Sequence, residues 1–153
     1  IRDRDVTGVQ TCALPIYMKE TLSQANGVGL AAPQVGIIRR ACIVMETNVP
    51  EGEDEYFIEL VNPEIIERDG EQEGGEGCLS LPERYGVVKR PNHVKVRAQD
   101  RNGNTFEVEG TGLTARCFCH EIDHLDGVLF TDRATHMYTD EEMEELYGGD
   151  DKE

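Results

Sequence analysis

Two things are scarce in this chain: long apolar runs and basic side chains. No stretch approaches the roughly 18 consecutive apolar residues that a membrane-spanning helix requires. The opening also lacks the basic segment and apolar core of a secretory signal, so none is expected. Lys and Arg number 15 against 31 Asp and Glu, giving a net charge of -16 over 153 residues. Such a surface repels phosphate backbones and anionic lipid, which argues against nucleic acid and membrane as partners. Thr139–Glu153 alone holds eight acids and one lysine, and it is expected to form a disordered acidic tail. The composition, 38% apolar and 30% charged, is that of a globular protein long enough for one domain with its own core. The cysteines, at 12, 42, 78, 117 and 119, are odd in number, and Cys117 and Cys119 are too close for a comfortable mutual bridge. A reducing cytoplasm with free or metal-bound thiols fits this pattern.

The chain becomes interpretable from Tyr17. YMKETLSQAN reads as the last turns of a helix that runs into the glycine-bounded loop GVGLAAPQVG, Gly27–Gly36. Ile37–Met45 is a β-branched run expected as a strand, and YFIELVNPEIIERDG reads as two short strands interrupted at Asn62-Pro63. In HVKVRAQDRNGNTFEVEG, alternating Val94, Val96 and Ala98 should meet Phe106 and Val108 across a two-residue Asn102-Gly103 turn. TGLTARCFCHEIDHLDG then reads as a helix, with Thr111 or Gly112 near its start and Gly127 just past its end. There is no internal repeat and no dividing linker. The expected architecture is α+β: mostly antiparallel strands packed around one central helix, in a domain spanning residues 17–138.

That helix carries the chemistry. His120-Glu121-Ile122-Asp123-His124 is an H-E-x-x-H pattern, and residues four apart share a helix face, so both imidazoles can reach one metal ion. At roughly 100° per residue, Ala115, Phe118, Ile122 and Leu125 gather on the opposite side as a core face, and Asp123 turns off the metal face. A metal site needs a further protein ligand. The metzincin continuation is excluded because Phe130 stands where its last histidine would be. A glutamate-type zincin would draw on Glu141–Glu145, which lie in the acidic tail and read as solvated. Cys117 shares the metal face but lies roughly 10 Å along the axis from His124, and so is expected to line the pocket beside the metal. Cys119 points away and reads as a small buried residue. Cys78, in EGCLSLP, is free to fold over the helix.

GVGLAAPQVG, EGCLSLP and HEIDH, in this order, resemble the three signature motifs of the peptide deformylase family, with similarity running from about Met18 to Asp132. The resemblance implies Cys78, His120 and His124 as metal ligands and Glu121 as the catalytic acid/base. Gln34 and the backbone N–H of Leu79 would form the oxyanion hole. Val28, Leu113 and Cys117 would surround the methionine side chain, Gly29 would let the peptide backbone approach, and Glu76 and Arg90 would lie near the substrate pocket. The implied reaction is hydrolysis of the formyl group from formyl-methionine on newly made polypeptides, with Fe²⁺ as the usual metal and Zn²⁺ or another divalent ion able to substitute. A cytoplasmic monomer is expected. It would meet ribosomes only transiently, having no basic tail to dock on one. Zincin-type proteolysis, or a metal-binding but inactive fragment, are the alternatives.

Family members carry an N-terminal strand and helix before the GxGLAAPQ loop, and here only the end of that helix matches. Val6–Ile16, VTGVQTCALPI, is identical to the in-frame translation of a common sequencing-library adapter. Residues 1–16 are therefore expected to be non-native, and within them no apolar period marks a face to bury.

Overall fold

The computed structural model describes residues 9–148, with side chains described from residue 14 onward. Its strands form two antiparallel sheets. The larger holds β1 (Gly29–Ala31), β2 (Ala41–Glu46), β3 (Tyr56–Asp69), β6 (His93–Gln99) and β7 (Thr105–Thr111), in the order β1-β2-β3-β6-β7. The smaller holds β4 (Gln72–Cys78), β5 (Leu81–Arg90) and β8 (Ala134–Met137), in the order β4-β5-β8. Helices α1 (Val9–Ala25), α2 (Leu113–Leu125), α3 (Phe130–Arg133) and α4 (Asp140–Tyr147) complete the described residues. The α+β expectation holds, with α2 as the central helix. Among the described residues no helix is long and apolar enough to cross a membrane.

Helix α2 is positioned by its apolar face. Ala115, Phe118 and Ile122 are buried with Cys42, Val44, Leu60, Val94, Val96 and Ala98 of β2, β3 and β6, and Leu125 packs at the edge. Burying a Phe side chain contributes about 1.5–3 kcal/mol, so this stripe fixes which way the histidine face looks. The helix ends where predicted. The Gly127 N–H donates to the His124 carbonyl at 3.2 Å and the Val128 N–H to the Asp123 carbonyl at 2.8 Å, the paired bonds of a Schellman cap.

The β6–β7 register is the expected one, Val96 opposite Val108 and Ala98 opposite Phe106. The turn differs. Only Gly103 has positive φ, the Gly103 N–H donates to the Asp100 carbonyl, and the Asp100 N–H donates to the Asn104 carbonyl. This is the longer loop of a type I turn followed by a left-handed glycine. Asp100 favours it by accepting the Asn102 and Asn104 N–H groups on one carboxylate oxygen. The two runs expected around Asn62-Pro63 are one 14-residue strand, β3. The ladder shifts register between Val61 and Glu64, and Asn62 adopts φ 50°. A bulge there asks no ladder hydrogen bond of Pro63, so the strand continues through it.

Both ends depart from expectation. Asp140–Tyr147, expected as disordered tail, is helical. Thr139 Oγ1 accepts the Glu142 N–H while Glu142 Oε2 accepts the Thr139 N–H. Asp140, Glu141 and Glu142 occupy the first turn, at the positive end of the helix dipole, so the acids that suggested disorder favour the helix there. Residues 149–153 lie outside the described residues, as do residues 1–8 of the opening. Residues 9–16 belong to α1, where Pro15 is buried and Leu14 packs against the cluster containing Met18 and Leu22. The stripe Leu14, Met18, Leu22 runs across the Ile16 boundary, so no period could appear within Val6–Ile16 alone.

Candidate metal centre and active site

Cys78 closes β4 and pairs with Leu81 of β5, so Leu79-Ser80 form a tight turn at the tip of that hairpin. The tip lies over the histidine face of α2. Cys78 Sγ is 3.3 Å from His124 Nε2, and the Nε2 atoms of His120 and His124 are 3.1 Å apart. All three donor atoms lie within 4.8 Å of one another, about twice a metal–ligand bond of ~2.0–2.3 Å. A thiolate and two imidazoles suit a divalent transition metal. Burial alone would raise the Cys78 thiol, but hydrogen bonding with His120, His124 and the Ser80 backbone outweighs it and brings the pKa to about 5. The donor set is therefore pre-formed and fits a metal.

Behind it lies an ion-pair network. His120 Nδ1 is 2.8 Å from Glu76 Oε1; a carboxylate can only accept, so this nitrogen carries the proton and Nε2 faces the metal position. Glu76 also accepts two hydrogen bonds from Arg90, both 2.9 Å, and one from Arg116 at 2.6 Å. Although burial would raise its pKa, the hydrogen bonds and charges of Arg90 and His120 hold Glu76 at about 2. Arg90 reaches on to Asp123 at 2.6 Å, and Arg133 holds that same carboxylate from the other side. Arg90 is 4% exposed and is not part of the cavity wall. It is expected near the substrate pocket; here its guanidinium bridges Glu76 and Asp123 behind the metal position and clamps Glu76.

A cavity of about 590 Å³ opens beside the metal position. Gln34, Val28, Gly29, Leu79, Leu113 and Cys117 all line it. Gln34 sits in a 3-10 turn, Ala32–Val35, and its amide is oriented from both ends. Oε1 accepts the Ala31 N–H at 2.8 Å, while Nε2 points to Ser80 Oγ at 3.0 Å and Cys78 Sγ at 3.5 Å. Burial and the nearby charges of Glu121 and Glu76 push the Cys117 thiol up to about 12, so it presents a neutral wall. Glu121 is 5% exposed, and its Oε2 has no hydrogen-bond partner. Burial raises its pKa to about 7 against the opposing charges of His120 and His124. A Cβ on Gly29 would stand 2.7 Å from Glu121 Oε1. The missing side chain makes room for Glu121 itself, a reason distinct from the expected approach of peptide backbone.

Sequence reasoning missed Ser80, Arg116, Glu83 and Tyr85. Arg116 had a legible signal, one helical turn before His120 on the same face, whereas the other three owe their places to the β4–β5 hairpin.

The family model described as Polypeptide deformylase matches residues 7–140. This chain belongs to the peptide deformylase family. It is 54% identical over 136 residues to the peptide deformylase of Lachnoclostridium phytofermentans, covering 84% of this chain and 79% of that protein. It is 50% identical over 131 residues to peptide deformylase 1 of Bacillus subtilis, covering 86% and 79%. Among solved structures, the Acinetobacter baumannii enzyme bound to Met-Ala-Ser superposes with a TM-score of 0.77 at 38% identity, covering 87% of each chain. The Thermotoga maritima peptide deformylase superposes with a TM-score of 0.73 at 38% identity, covering 87% and 86%. The chain is thus a metal-dependent hydrolase that removes the N-formyl group from newly made peptides. The family match begins at residue 7, so all of α1 lies within it.

Proposed function

We propose that Glu121 is the proton shuttle of this hydrolysis, and that Cys78, His120 and His124 hold the metal, Fe²⁺ in the native state. When bound, the metal supplies a Lewis acid and a water acidified toward neutral pH. Glu121 Oε2 accepts the proton of the attacking water and returns it to the departing amine nitrogen as the C–N bond breaks, releasing formate and a free methionyl amine. Gln34 Nε2 and the Leu79 N–H donate to the formyl oxygen as it gains charge. Val28, Leu113 and Cys117 hold the methionine side chain, and Glu76 fixes the tautomer of His120. The observation that carries this reading is the buried, unpartnered Oε2 of Glu121 beside three convergent metal donors. The Met-Ala-Ser peptide in the Acinetobacter baumannii structure supports the substrate class. Such substrates arise at ribosomes in the cytoplasm, where we place the protein as a monomer with only transient ribosomal contact.

The test pairs two variants assayed on formyl-Met-Ala-Ser with metal content measured alongside. Glu121→Gln should keep the metal and lose about 10²–10⁴-fold in rate. Cys78→Ala should lose the metal; retention would favour a zincin-type ligand set. Aerobic purification should yield zinc or mixed metal, since zinc lies above ferrous iron in divalent affinity, and anaerobic Fe²⁺ loading should give the higher activity. Equal rates for the two metals would remove the case for iron.

A further inference from the structure

The methionine slot has two exposed lips. Val28 is 37% exposed and Leu113 49% exposed, so neither is held in place by burial of its own side chain. Their separation depends on the backbone that carries them. Val28 stands just before β1, and its carbonyl accepts the Met45 N–H of β2 at 2.8 Å. Leu113 opens α2, a helix with no side-chain cap at its start, which follows Gly112 at φ 58°. The residue after Met45 supplies the missing anchor. Glu46 Oε1 accepts the Thr114 hydroxyl at 2.7 Å and the Asn48 N–H at 2.8 Å. A carboxylate beside the first turn of a helix is also favoured by the helix dipole. Glu46 and Thr114 are both buried, and neither borders the cavity. A Cβ on Gly110 would stand 2.8 Å from Thr114 Cγ2, so the methyl packs on bare backbone of β7 and the hydroxyl is left for Glu46. Adjacent residues of β2 therefore hold both lips, one through its N–H and the next through its carboxylate.

We infer that Glu46 is a positioning residue for the methionine slot: through Thr114 it fixes the start of α2 against Val28, and so sets the width between Val28 and Leu113. A hydrogen bond to an ionised carboxylate holds such a joint more firmly than one between neutral groups. The fit of an apolar slot is worth about ten-fold or more per methylene, so a small change in its width is felt. The inference rests on the reading that the methionine side chain lies between Val28, Leu113 and Cys117.

The test compares formyl-Met-Ala-Ser with formyl-Ala-Ala-Ser, whose first side chain is too short to span the slot, on the metal-loaded protein. Equilibrium binding of the products Met-Ala-Ser and Ala-Ala-Ser is measured alongside. Thr114→Val and Glu46→Leu should each lower the methionine-to-alanine ratio of kcat/KM about ten-fold. The loss should fall on KM for the methionine peptide, with metal content and the alanine peptide unchanged. Together the two changes should do no more than either alone, since both break the same bond. Glu46→Asp keeps the charge one methylene short and covers the case in which those variants fail to fold; it should lower the ratio about three-fold. Glu46→Gln keeps the acceptor oxygen and should leave the ratio near its wild-type value. A ratio untouched in Glu46→Asp and the larger variants, or an equal loss on both peptides, would overturn the bridge alone. A wild-type chain with no preference for methionine would overturn the slot reading and the bridge with it. A ratio that falls in product binding without any turnover would uphold the bridge and overturn the hydrolysis.

Discussion

Gly29 and Glu121 show how little slack surrounds the proposed proton shuttle. Adding a Cβ at residue 29 places it 2.7 Å from Glu121 Oε1 and 2.9 Å from its Cγ, closer than real side chains approach. Gly29→Ala should therefore displace the carboxylate while leaving the metal donors in place. The expected outcome is an activity loss of about 10²-fold with unchanged metal content, measured on the same preparation. A second charged site, away from the cavity, bears on stability. Burial would raise the Glu59 carboxyl, but hydrogen bonds and charges from Arg101 and Lys19 win and hold it below its usual range. A depressed folded pKa means stabilisation that is full above the unfolded value of about 4.3 and is lost as pH falls through the folded one. Glu59→Gln should thus lower stability at pH 7, by a margin that shrinks as pH falls below about 4.3, read from denaturant midpoints across that range. At this scale the convergence of Cys78, His120 and His124 was legible, because a helix period and three short motifs are local signals. The Glu76–Arg90–Arg116 clamp was legible only in part, through the helical spacing of Arg116 and His120. Its members are distant in sequence, and a lone charge ordinarily reads as a solvated surface group.

Among the elements, α2 and the β6–β7 hairpin were readable because each carries its own period and stop signal. The rest depended on neighbours. Pro63 reads as a break until β2 and β6 flank it, and the acidic run after Thr139 reads as solvated until its cap is seen. Helix α1 is the clearest case, since its buried stripe of Leu14, Met18 and Leu22 crosses a boundary drawn from the origin of the DNA. The adapter origin of residues 1–16 is a proposal about history, and a segment of any origin can supply a packing face. Leu22 is fully buried, so Leu22→Ala should cost about 2–5 kcal/mol of unfolding free energy. Leu14→Ala should cost less, because Leu14 is only partly buried. Equal stability of all three proteins in urea would show that α1 does not dock as described.

Over the whole molecule, the proposed metal donors come from both layers: Cys78 from the three-stranded sheet, His120 and His124 from the helix packed on the five-stranded one. An ion held there ties the β4–β5 tip to α2. Chelation should therefore lower the thermal midpoint, since a ligand bound only to the folded state stabilises it by mass action. Amide exchange should rise first around Cys78–Ser80, before the core of β2 and β3. A midpoint indifferent to chelator would mean that the tip is held by the Gln34 and Glu76 contacts alone. The same arrangement sets an order of events during synthesis. Cys78 and His124 are 46 residues apart, and Arg133, which grips Asp123 on the same helix, is made later still. A growing chain that has exposed its cysteine has no imidazoles yet to share an ion with it. Metal capture belongs to the last stage of translation or after it. The proposed site is thus assembled only after residues 78 to 124 have all been made, and it cannot form on the first half of the chain alone.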